Sequence, residues 1–238
     1  MIATDRRIFA IDIGGSNIKG TILNIQGDSL EDYQKLPTPD PATPAKVLNV
    51  IHLLSQKFQG FTHVSAGFPG YVKDGVVRTA PNLGTGEWEG FDLQQELSTL
   101  LGKPARVIND ADLQGLSISS GKGLELMVTL GTGFGSALVY NGSLLPHLEI
   151  AHHPLTKKKD YDAYIGEAEL KRIGKARWNT RMARVLQILK TVFNYDTLYI
   201  SGGNADKIEF ELESNIVIVG NKDGIKGGAR LWIANDPC

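Results

Sequence analysis

One pattern occurs twice in this sequence and constrains the fold more than any other feature. Residues 9–23 (FAIDIGGSNIKGTIL) and 127–140 (MVTLGTGFGSALVY) each contain an apolar strand, a Gly-rich turn and a second apolar strand. When the two are aligned, Asp12 falls on Thr129 and Gly14 falls on Gly131. A single Gly-rich hairpin is common in β-sheet proteins and would indicate little. Two of them at corresponding places predict two related lobes, each opening with a β-hairpin, whose turns face each other across a cleft.

Strand and helix patterns alternate along the chain, which predicts an α/β protein. The predicted strands cover residues 7–13, 18–25, 63–67, 70–73, 76–79, 105–108, 126–130, 135–140, 197–201 and 216–219. The predicted helices cover residues 44–57, 91–101, 111–120, 161–173 and 178–193. The stretch 119–125 (SSGKGLE) is the best boundary, so we expect an N-terminal lobe over residues 1–120 and a C-terminal lobe over residues 121–238.

Composition restricts the class of protein. The 238 residues suffice for two such lobes, and the formal net charge of −1 gives no reason to expect a nucleic-acid partner. Cys238 is the only cysteine, which excludes disulfides and Cys-ligated zinc within one chain and fits a reduced compartment. No apolar run approaches the ~20 residues of a membrane span, and the N-terminus lacks a signal-peptide core. We therefore expect a cytoplasmic protein without membrane contact.

The two turns are candidate phosphate sites. Glycine leaves its backbone N–H open to a ligand and accepts positive φ, and successive N–H groups form an anion-binding nest. The candidates are Gly14, Gly15 and Ser16 in the first turn and Gly131, Thr132 and Gly133 in the second. Asp12, at a strand end, could orient Mg²⁺ or its water shell against the phosphate oxygens. The alternative for Asp12 is a carboxylate satisfied by turn N–H groups. Neither a Walker phosphate loop nor a dinucleotide fingerprint is present.

The segment 105–116 (ARVINDADLQGL) contains a candidate general base. It is typical of a strand followed by Asn109, Asp110 and a helix. An Asp at such a junction is often only the helix N-cap. The functional alternative is that Asp110 accepts the proton of an attacking hydroxyl, while Asn109 binds another hydroxyl of the same substrate.

Three loops carry further candidate binding groups. Asn82 lies in a Pro/Gly-rich loop, and Glu149 and His152 are three residues apart, so together they offer donors and acceptors for a polyol. Glu149 and His152 could equally be a surface pair. Their segment contains three histidines but lacks the HExxH order, so no metal site is expected there. The strand end at 202–204 (GGN) allows a nucleotide or phosphate to approach the backbone, or is a simple turn.

The ordered set DIGGSNIK, APNL, NDAD, GTGFGSA, ExxH and SGGNA resembles the ROK sugar kinases over nearly the whole chain. The resemblance implies a two-lobed actin-like ATPase (ribonuclease H-like) fold and a homodimer. It implies that the donor phosphates bind at Asp12, Gly14, Gly15, Ser16, Asn17, Gly131, Thr132, Gly133 and Gly135, and that Gly202, Gly203 and Asn204 lie near the donor. It further implies that Asp110 activates the sugar 6-hydroxyl and that Asn82, Asn109, Glu149 and His152 hold the sugar.

One departure from the family pattern narrows the resemblance. The usual cysteine-rich zinc motif is missing from residues 153–166, and this is similar to the polyphosphate glucokinase branch, as are GFPGYVKDGVVRTAPNLG and RWNTRM. The branch implies no structural zinc, and phosphorylation of glucose by polyphosphate, ATP or both with Mg²⁺. Asp162 falls where many members have another sugar-binding glutamate.

Two alternatives to a glucokinase remain open. One is another hexose or small-molecule kinase of the same superfamily. The other is a non-catalytic sugar sensor, because the family includes repressors. Those carry an N-terminal DNA-binding domain, for which the first predicted strand, close to Met1, leaves no room.

A basic stretch gives an independent indication of the donor. Residues 157–190 contain ten Lys or Arg against four acids. Arg177, Arg181 and Arg184 fall on one helical face. Such a surface would attract a long polyanion such as polyphosphate, or it is a solvated helix face or an oligomer contact.

Overall fold

The computed structural model describes residues 6–81, 83–220 and 224–233. These residues form two compact units. The first unit contains the described residues up to Ser117 together with those from Gly224, and the second contains the described residues from Ile118 to 220. No helix within these ranges is both long and apolar enough to cross a membrane. Asn82, a predicted sugar ligand, lies outside the described residues.

The first unit is built on a five-stranded sheet. Its strands are β1 (Ile8–Ile13), β2 (Asn17–Leu23), β3 (Gln34–Pro37), β4 (His63–Phe68) and β7 (Ala105–Asn109), in the spatial order β3-β2-β1-β4-β7. β1, β2 and β3 form an antiparallel meander, whereas β4 and β7 run parallel to β1. The remaining elements are β5 (Val72–Lys73), β6 (Val76–Val77), α1 (Pro44–Ser55), α2 (Thr85–Trp88), α3 (Leu93–Leu101), α4 (Asp110–Ile118) and α8 (Gly227–Arg230).

The second unit repeats this topology. Its sheet has the order β10-β9-β8-β11-β12, formed by β8 (Leu124–Leu130), β9 (Phe134–Tyr140), β10 (Ser143–Leu144), β11 (Thr197–Ser201) and β12 (Ile216–Ile218). Again the first three strands are antiparallel neighbours and the last two run parallel to the first. Helices α5 (Tyr161–Ile165), α6 (Glu167–Ile173) and α7 (Lys175–Phe193) accompany the sheet. The prediction that both halves open with a β-hairpin is therefore confirmed.

Both faces of the first sheet are covered by apolar side chains. On one face, residues from α1 and α3 join a large cluster that includes Phe9, Ile11 and Trp88. On the other face, Ile8 and Ala10 pack against residues from the end of the described chain. Alternation of side chains along β1 explains why its successive residues enter different clusters.

Residues 224–233, which we call the C-terminal clasp, cover that second face. The indole of Trp232 is buried and donates a 2.8 Å hydrogen bond to Ser65 on β4, whose own hydroxyl donates to the Gly228 carbonyl at 2.7 Å. The guanidinium of Arg106 on β7 lies 4.4 Å from the indole centroid. A Cβ at Gly228 would lie 2.9 Å from the Ser65 side chain, so a residue without a side chain is needed for this approach. Our sequence-based boundary assigned these residues to the C-terminal lobe, whereas their contacts are with the first unit.

The short helices α2 and α8 were not predicted, and other local features also differ from the sequence-based expectations. The edge strands β3 and β10 were not predicted, because neither QKLP nor SL contains the β-branched residues that are typical of a strand. The predicted helix over 161–173 is two helices that break at Gly166. A Cβ at Gly166 would lie 2.8 Å from the Thr132 carbonyl oxygen, so the break brings the chain against the turn between β8 and β9.

Candidate active site

Asp110 lies at the carboxyl edge of the first sheet, where β7 ends and α4 begins. Its neighbour Asn109 makes the capping contacts, since Asn109 Oδ1 accepts from the N–H groups of Ala111 at 2.8 Å and Asp112 at 3.3 Å. Asp110 Oδ1 accepts from Ala111 N at 2.8 Å. Because Asn109 caps the helix, the Asp110 carboxylate is not the N-cap and stays open to solvent.

The side chain of Asn109 is held by backbone groups, and its role as a sugar ligand stays a prediction. The residue is buried, and its amide nitrogen donates to the Gly70 carbonyl at 3.0 Å. Both polar atoms of the side chain are thus engaged by backbone groups. In this structure Asn109 fixes the junction that presents Asp110.

The pKa of Asp110 is raised from its ordinary value to about 6. Loss of hydration is the largest cause: the carboxylate remains reachable by solvent, but the surrounding protein displaces much of its water. The negative charge of Asp12 is the second cause, and the hydrogen bond from Ala111 acts in the opposite direction. The structure therefore brings together the two carboxylates that the sequence identified separately.

A glycine on the strand between them makes this arrangement possible. Gly67 on β4 pairs with Asp12 on one side and with Ile108 on the other. A Cβ at Gly67 would lie 3.4 Å from the Asp110 Cα and 2.9 Å from the Leu113 side chain. Gly67 was missed by our sequence analysis, although a glycine inside a strand pattern is the usual signal of a close approach.

Asp12 is half-buried and faces the hairpin partner strand. Its carboxylate lies 3.4 Å from the Lys19 ammonium, which is opposite it in the β1–β2 register. The turn after Asp12 is closed by a 3.0 Å hydrogen bond from Gly14 N to the Asn17 carbonyl. Thr38 braces the same turn, because its hydroxyl donates to the Gly14 carbonyl at 2.5 Å and its N–H donates to Ser16 O at 3.1 Å.

These contacts reduce the number of N–H groups in the first turn that could donate a hydrogen bond to a phosphate. The N–H of Gly14 is used inside the turn, whereas those of Gly15 and Ser16 have no protein acceptor among the described residues. A Cβ at Gly15 would meet nothing within 4 Å, so the space above the turn is open. The glycines of this turn do not have positive φ, and their value here is the missing side chain rather than an unusual backbone conformation.

The second turn has the same plan. Gly131 N donates to the Gly133 carbonyl at 3.1 Å, and Gly135 N donates to the Thr129 hydroxyl at 3.0 Å. The N–H groups of Thr132 and Gly133 have no acceptor within the described ranges, and the space above Gly131 is open. Thr129, which aligns with Asp12, is thus a hydrogen-bond partner of its own turn.

The strand end at 202–204 supports the second turn. Asn204 is buried, with its amide nitrogen 3.2 Å from the Gly131 carbonyl and its N–H 2.9 Å from the Leu130 carbonyl. Gly202 has a φ of +94°, and a Cβ there would lie 2.3 Å from Leu130 O. Glycine is therefore required at Gly202, while Asn204 holds the turn in place and Gly203 is open on its Cβ side.

Glu149 and His152 lie in an acidic and histidine-containing cluster of the second unit. His147 Nε2 lies 3.4 Å from Glu149 Oε1, and His152 Nδ1 lies 3.8 Å from Asp160 Oδ2. Asp162 accepts a 2.6 Å hydrogen bond from Phe134 N, next to the second turn, and burial raises its pKa. The pKa of Glu149 is lowered, chiefly by its pairing with His147, against the effect of burial. His147 had no assigned role at the sequence level, and its spacing of two from Glu149 was the available signal.

Part of the basic stretch is structural. Glu169 is covered by three basic side chains, those of Lys159, Arg172 and Arg181, and they hold its pKa well below its usual range. Arg181 also donates to the Tyr164 carbonyl at 2.9 Å. Arg177 and Arg184 are exposed, with no ion-pair partner in the described part of the chain.

Comparison with known proteins agrees with this architecture. The model of the ROK family matches residues 8–153. The chain is 34% identical to a polyphosphate glucokinase of Mycobacterium tuberculosis (strain CDC 1551 / Oshkosh), over 98% of this chain and 93% of that protein.

Solved structures give the same result. An inorganic polyphosphate/ATP-glucomannokinase from Arthrobacter sp. strain KM is 30% identical, with a TM-score of 0.83 over 94% of this chain and 97% of that one. A ROK family glucokinase from Streptomyces griseus is 19% identical, with a TM-score of 0.74 over 94% of this chain and 98% of that one, and supports the fold alone. The predicted actin-like ATPase fold class is confirmed by these neighbours and by the repeated sheet order. The chain belongs to the ROK family.

Proposed function

We propose that this protein transfers a phosphoryl group to the 6-hydroxyl of glucose, with polyphosphate, ATP or both as donor. The observation that carries the proposal is the presentation of Asp110 at the carboxyl edge of the first sheet, beside Asp12 and with the capping contacts made by Asn109. The names of the relatives, a polyphosphate glucokinase and a polyphosphate/ATP-glucomannokinase, support the same reaction.

Asp110 is suited to act as the base. With its pKa raised to about 6, the carboxylate is ionised at neutral pH and is more basic than an ordinary aspartate. It would accept the proton of the attacking hydroxyl during in-line transfer. Glu149 and His152 would hold sugar hydroxyls, since a carboxylate accepts hydrogen bonds and an imidazole can donate one.

The free N–H groups of the turns are suited to phosphate. Hydrogen bonds to phosphate oxygens of the phosphoryl donor would come from the N–H groups of Gly15 and Ser16 and from those of Thr132 and Gly133. Gly14, Gly131 and Asn204 would act indirectly, by closing or bracing these turns.

Mg²⁺ fits the carboxyl edge of the first sheet. Asp12 and Asp110 offer the hard oxygen ligands that Mg²⁺ prefers, and a cation would relieve the repulsion that raises the Asp110 pKa. Among the described residues no group of three or more His, Cys, Asp or Glu could hold a metal alone. Asp12 would therefore hold the ion through water, with donor phosphate oxygens as further ligands. When bound, Mg²⁺ supplies neutralisation of the charge that develops on the phosphate.

A coupled assay for glucose 6-phosphate tests the proposal. Purified protein is offered glucose, mannose or fructose, each with ATP or with polyphosphate and with Mg²⁺. Turnover of glucose with at least one donor is the expected result. Hexose binding without turnover for any pair would instead favour the sugar sensor. The same preparation tests the predicted homodimer by light scattering.

Charge-reversing substitutions on α7 test whether its basic face binds polyphosphate as the phosphoryl donor. Arg177 and Arg184 are two helical turns apart and exposed, which suits successive phosphates of a long polyanion. We expect reversal of both charges (Arg177→Glu with Arg184→Glu) to raise KM for polyphosphate about tenfold at low salt, with little change for ATP. Arg181 is left intact because it holds Glu169.

Lys46→Glu with Lys57→Glu is the matched control, because both side chains are exposed and the net charge changes equally. If the α7 pair and this control pair affect polyphosphate equally, or if ATP suffers as much as polyphosphate, the basic face is not a donor site.

A further inference from the structure

His147 is fixed next to Glu149 by the way its segment returns to the second sheet. The segment follows β10 and is pinned to β9, since Leu145 N donates to Leu138 O at 2.8 Å and the Ser136 hydroxyl donates to Leu148 O at 3.1 Å. The His147 side chain is 7% exposed, whereas that of Glu149 is 34% exposed. The imidazole of His147 is thus buried, whereas the carboxylate of Glu149 is partly open to solvent.

Two effects oppose the ionisation of Glu149. Burial opposes its ionisation, and Asp162, another carboxylate, is close enough for the charges to act on each other. Three titratable groups act on Glu149: His147 from the segment after β10, His152 from the 3₁₀ turn Ile150–His152, and Asp162 on α5, while Asp160 at the start of α5 pairs with His152. His152 is largely exposed and pairs with Asp160, which leaves His147 as the buried partner of Glu149.

We propose that His147 is a positioning residue that orients the Glu149 carboxylate to accept a hydrogen bond from a sugar hydroxyl. Nε2 of His147 is buried and lies 3.4 Å from Glu149 Oε1, a contact of ion-pair length that is not a hydrogen bond, so it stands beside one carboxylate oxygen and leaves the other for the substrate. The inference rests on the proposed function, in which Glu149 binds sugar. His147 acts through Glu149 and does not itself touch the reacting atoms.

Two substitutions separate this role from packing. His147→Gln keeps an N–H donor at nearly the same reach but carries no charge, whereas His147→Leu keeps an apolar body and removes the donor. His52→Leu on α1 is the matched control, because His52 is a partly exposed histidine of the other unit. Glucose affinity is measured by calorimetry without donor, and steady-state kinetics then give kcat and both KM values.

His147→Leu is expected to weaken glucose binding by about tenfold, in both Kd and KM. The reason is that the hydrogen bond from the sugar hydroxyl to the Glu149 carboxylate is weakened or misdirected. The KM for the donor and the melting temperature are expected to stay close to those of the wild type. His147→Gln is expected to restore glucose affinity to within about threefold, and His52→Leu to leave it unchanged.

The pH dependence of glucose binding adds a readout that packing alone would not move. In the wild type, Glu149 stays ionised below the usual range of a glutamate, because His147 lowers its pKa. In His147→Leu the opposing effect of burial remains, so the acid limb of glucose binding is expected to move to higher pH. His152 and Asp160 remain present in every variant and set a common background.

The inference would be overturned if His147→Leu changed neither the affinity for glucose nor the acid limb of glucose binding. So would a loss that falls equally on the donor KM and the melting temperature, because His147 would then only support the fold. If the wild type binds glucose but turns over no donor, the proposed reaction fails while the calorimetric comparison still decides the role of His147. If the wild type binds no hexose, both the reaction and the positioning role are rejected.

Discussion

Asp110→Asn is expected to reduce kcat for glucose phosphorylation by roughly 10²–10⁴-fold, the usual contribution of a positioned base. Glucose affinity is expected to change only a few-fold, because the amide keeps the size of the carboxylate and its oxygen can still accept from Ala111 N. Single-turnover kinetics with glucose and each donor measure the chemical step, and calorimetry measures the affinity. Asp32→Asn, at an exposed aspartate of the first unit, is the control and should keep full activity. A full rate in Asp110→Asn would show that another group accepts the proton.

The wild-type pH profile should report the same group. Asp110 must be deprotonated to act as base, so kcat/KM is expected to fall tenfold per pH unit below a pKa of about 6. An acid limb near pH 4, the value of an ordinary aspartate, would contradict the raised pKa.

The raised pKa also predicts a gain in stability. A carboxyl whose folded-state pKa exceeds its unfolded value of about 3.9 destabilises the native protein increasingly as pH rises between those two values. Asp110→Asn removes this penalty, which we place at about 1 kcal/mol because solvent screens the exposed carboxylate. The melting temperature at pH 7.5 should therefore rise by about 2–4 °C, with no gain at pH 4. Differential scanning fluorimetry at both pH values makes the comparison.

Trp232→Ala should have the largest effect on stability. Truncation of a buried Trp costs roughly 3–5 kcal/mol, and here it also removes the indole hydrogen bond to Ser65 and the stacking of Arg106. Urea unfolding followed by circular dichroism measures the loss. Ile233→Ala is the neighbouring control, because that side chain is 60% exposed and should change the free energy of unfolding by less than about 0.5 kcal/mol.

Trp232→Phe divides the Trp232 effect into two parts. One aromatic ring is kept, while the N–H donor and the volume of the second ring are lost, so a cost of roughly 1–3 kcal/mol is expected, with Ser65 still bonded to Gly228. A cost for Trp232→Ala as small as that of Ile233→Ala would mean that the clasp contributes little to the first unit.

The sequence predicted what local pattern determines. The strands of the two hairpins are six or seven residues long, which is enough for their apolar pattern to be visible. The change from a strand pattern to a helix pattern likewise predicts the junction at Asp110. The sequence does not show which residue caps the helix, because either Asn109 or Asp110 could do so. In the structure Asn109 accepts from the N–H groups of Ala111 and Asp112. Its amide nitrogen is held by the Gly70 carbonyl.

Long-range contacts explain the other differences. The sequence indicates only that Arg181 is one of three arginines on a helical face. Its partner Glu169 is twelve residues away on another helix. The pairing of Ser65 with Trp232 spans 167 residues. Side-chain partners of this kind depend on how the elements pack, which periodicity does not record. The roles assigned to the site residues therefore remain predictions for the experiments above.

The clasp has a consequence for biosynthesis. The second unit is continuous in sequence, and its sheet is complete once Ile218 has left the ribosome. The first sheet is translated earlier, yet Ile8 and Ala10 stay uncovered until residues 224–233 emerge. About 120 residues separate the end of β7 from the clasp, so at about 5–20 residues per second the nascent chain exposes this apolar face for roughly 6–25 s. The half of the protein that is made first is therefore the half that is finished last.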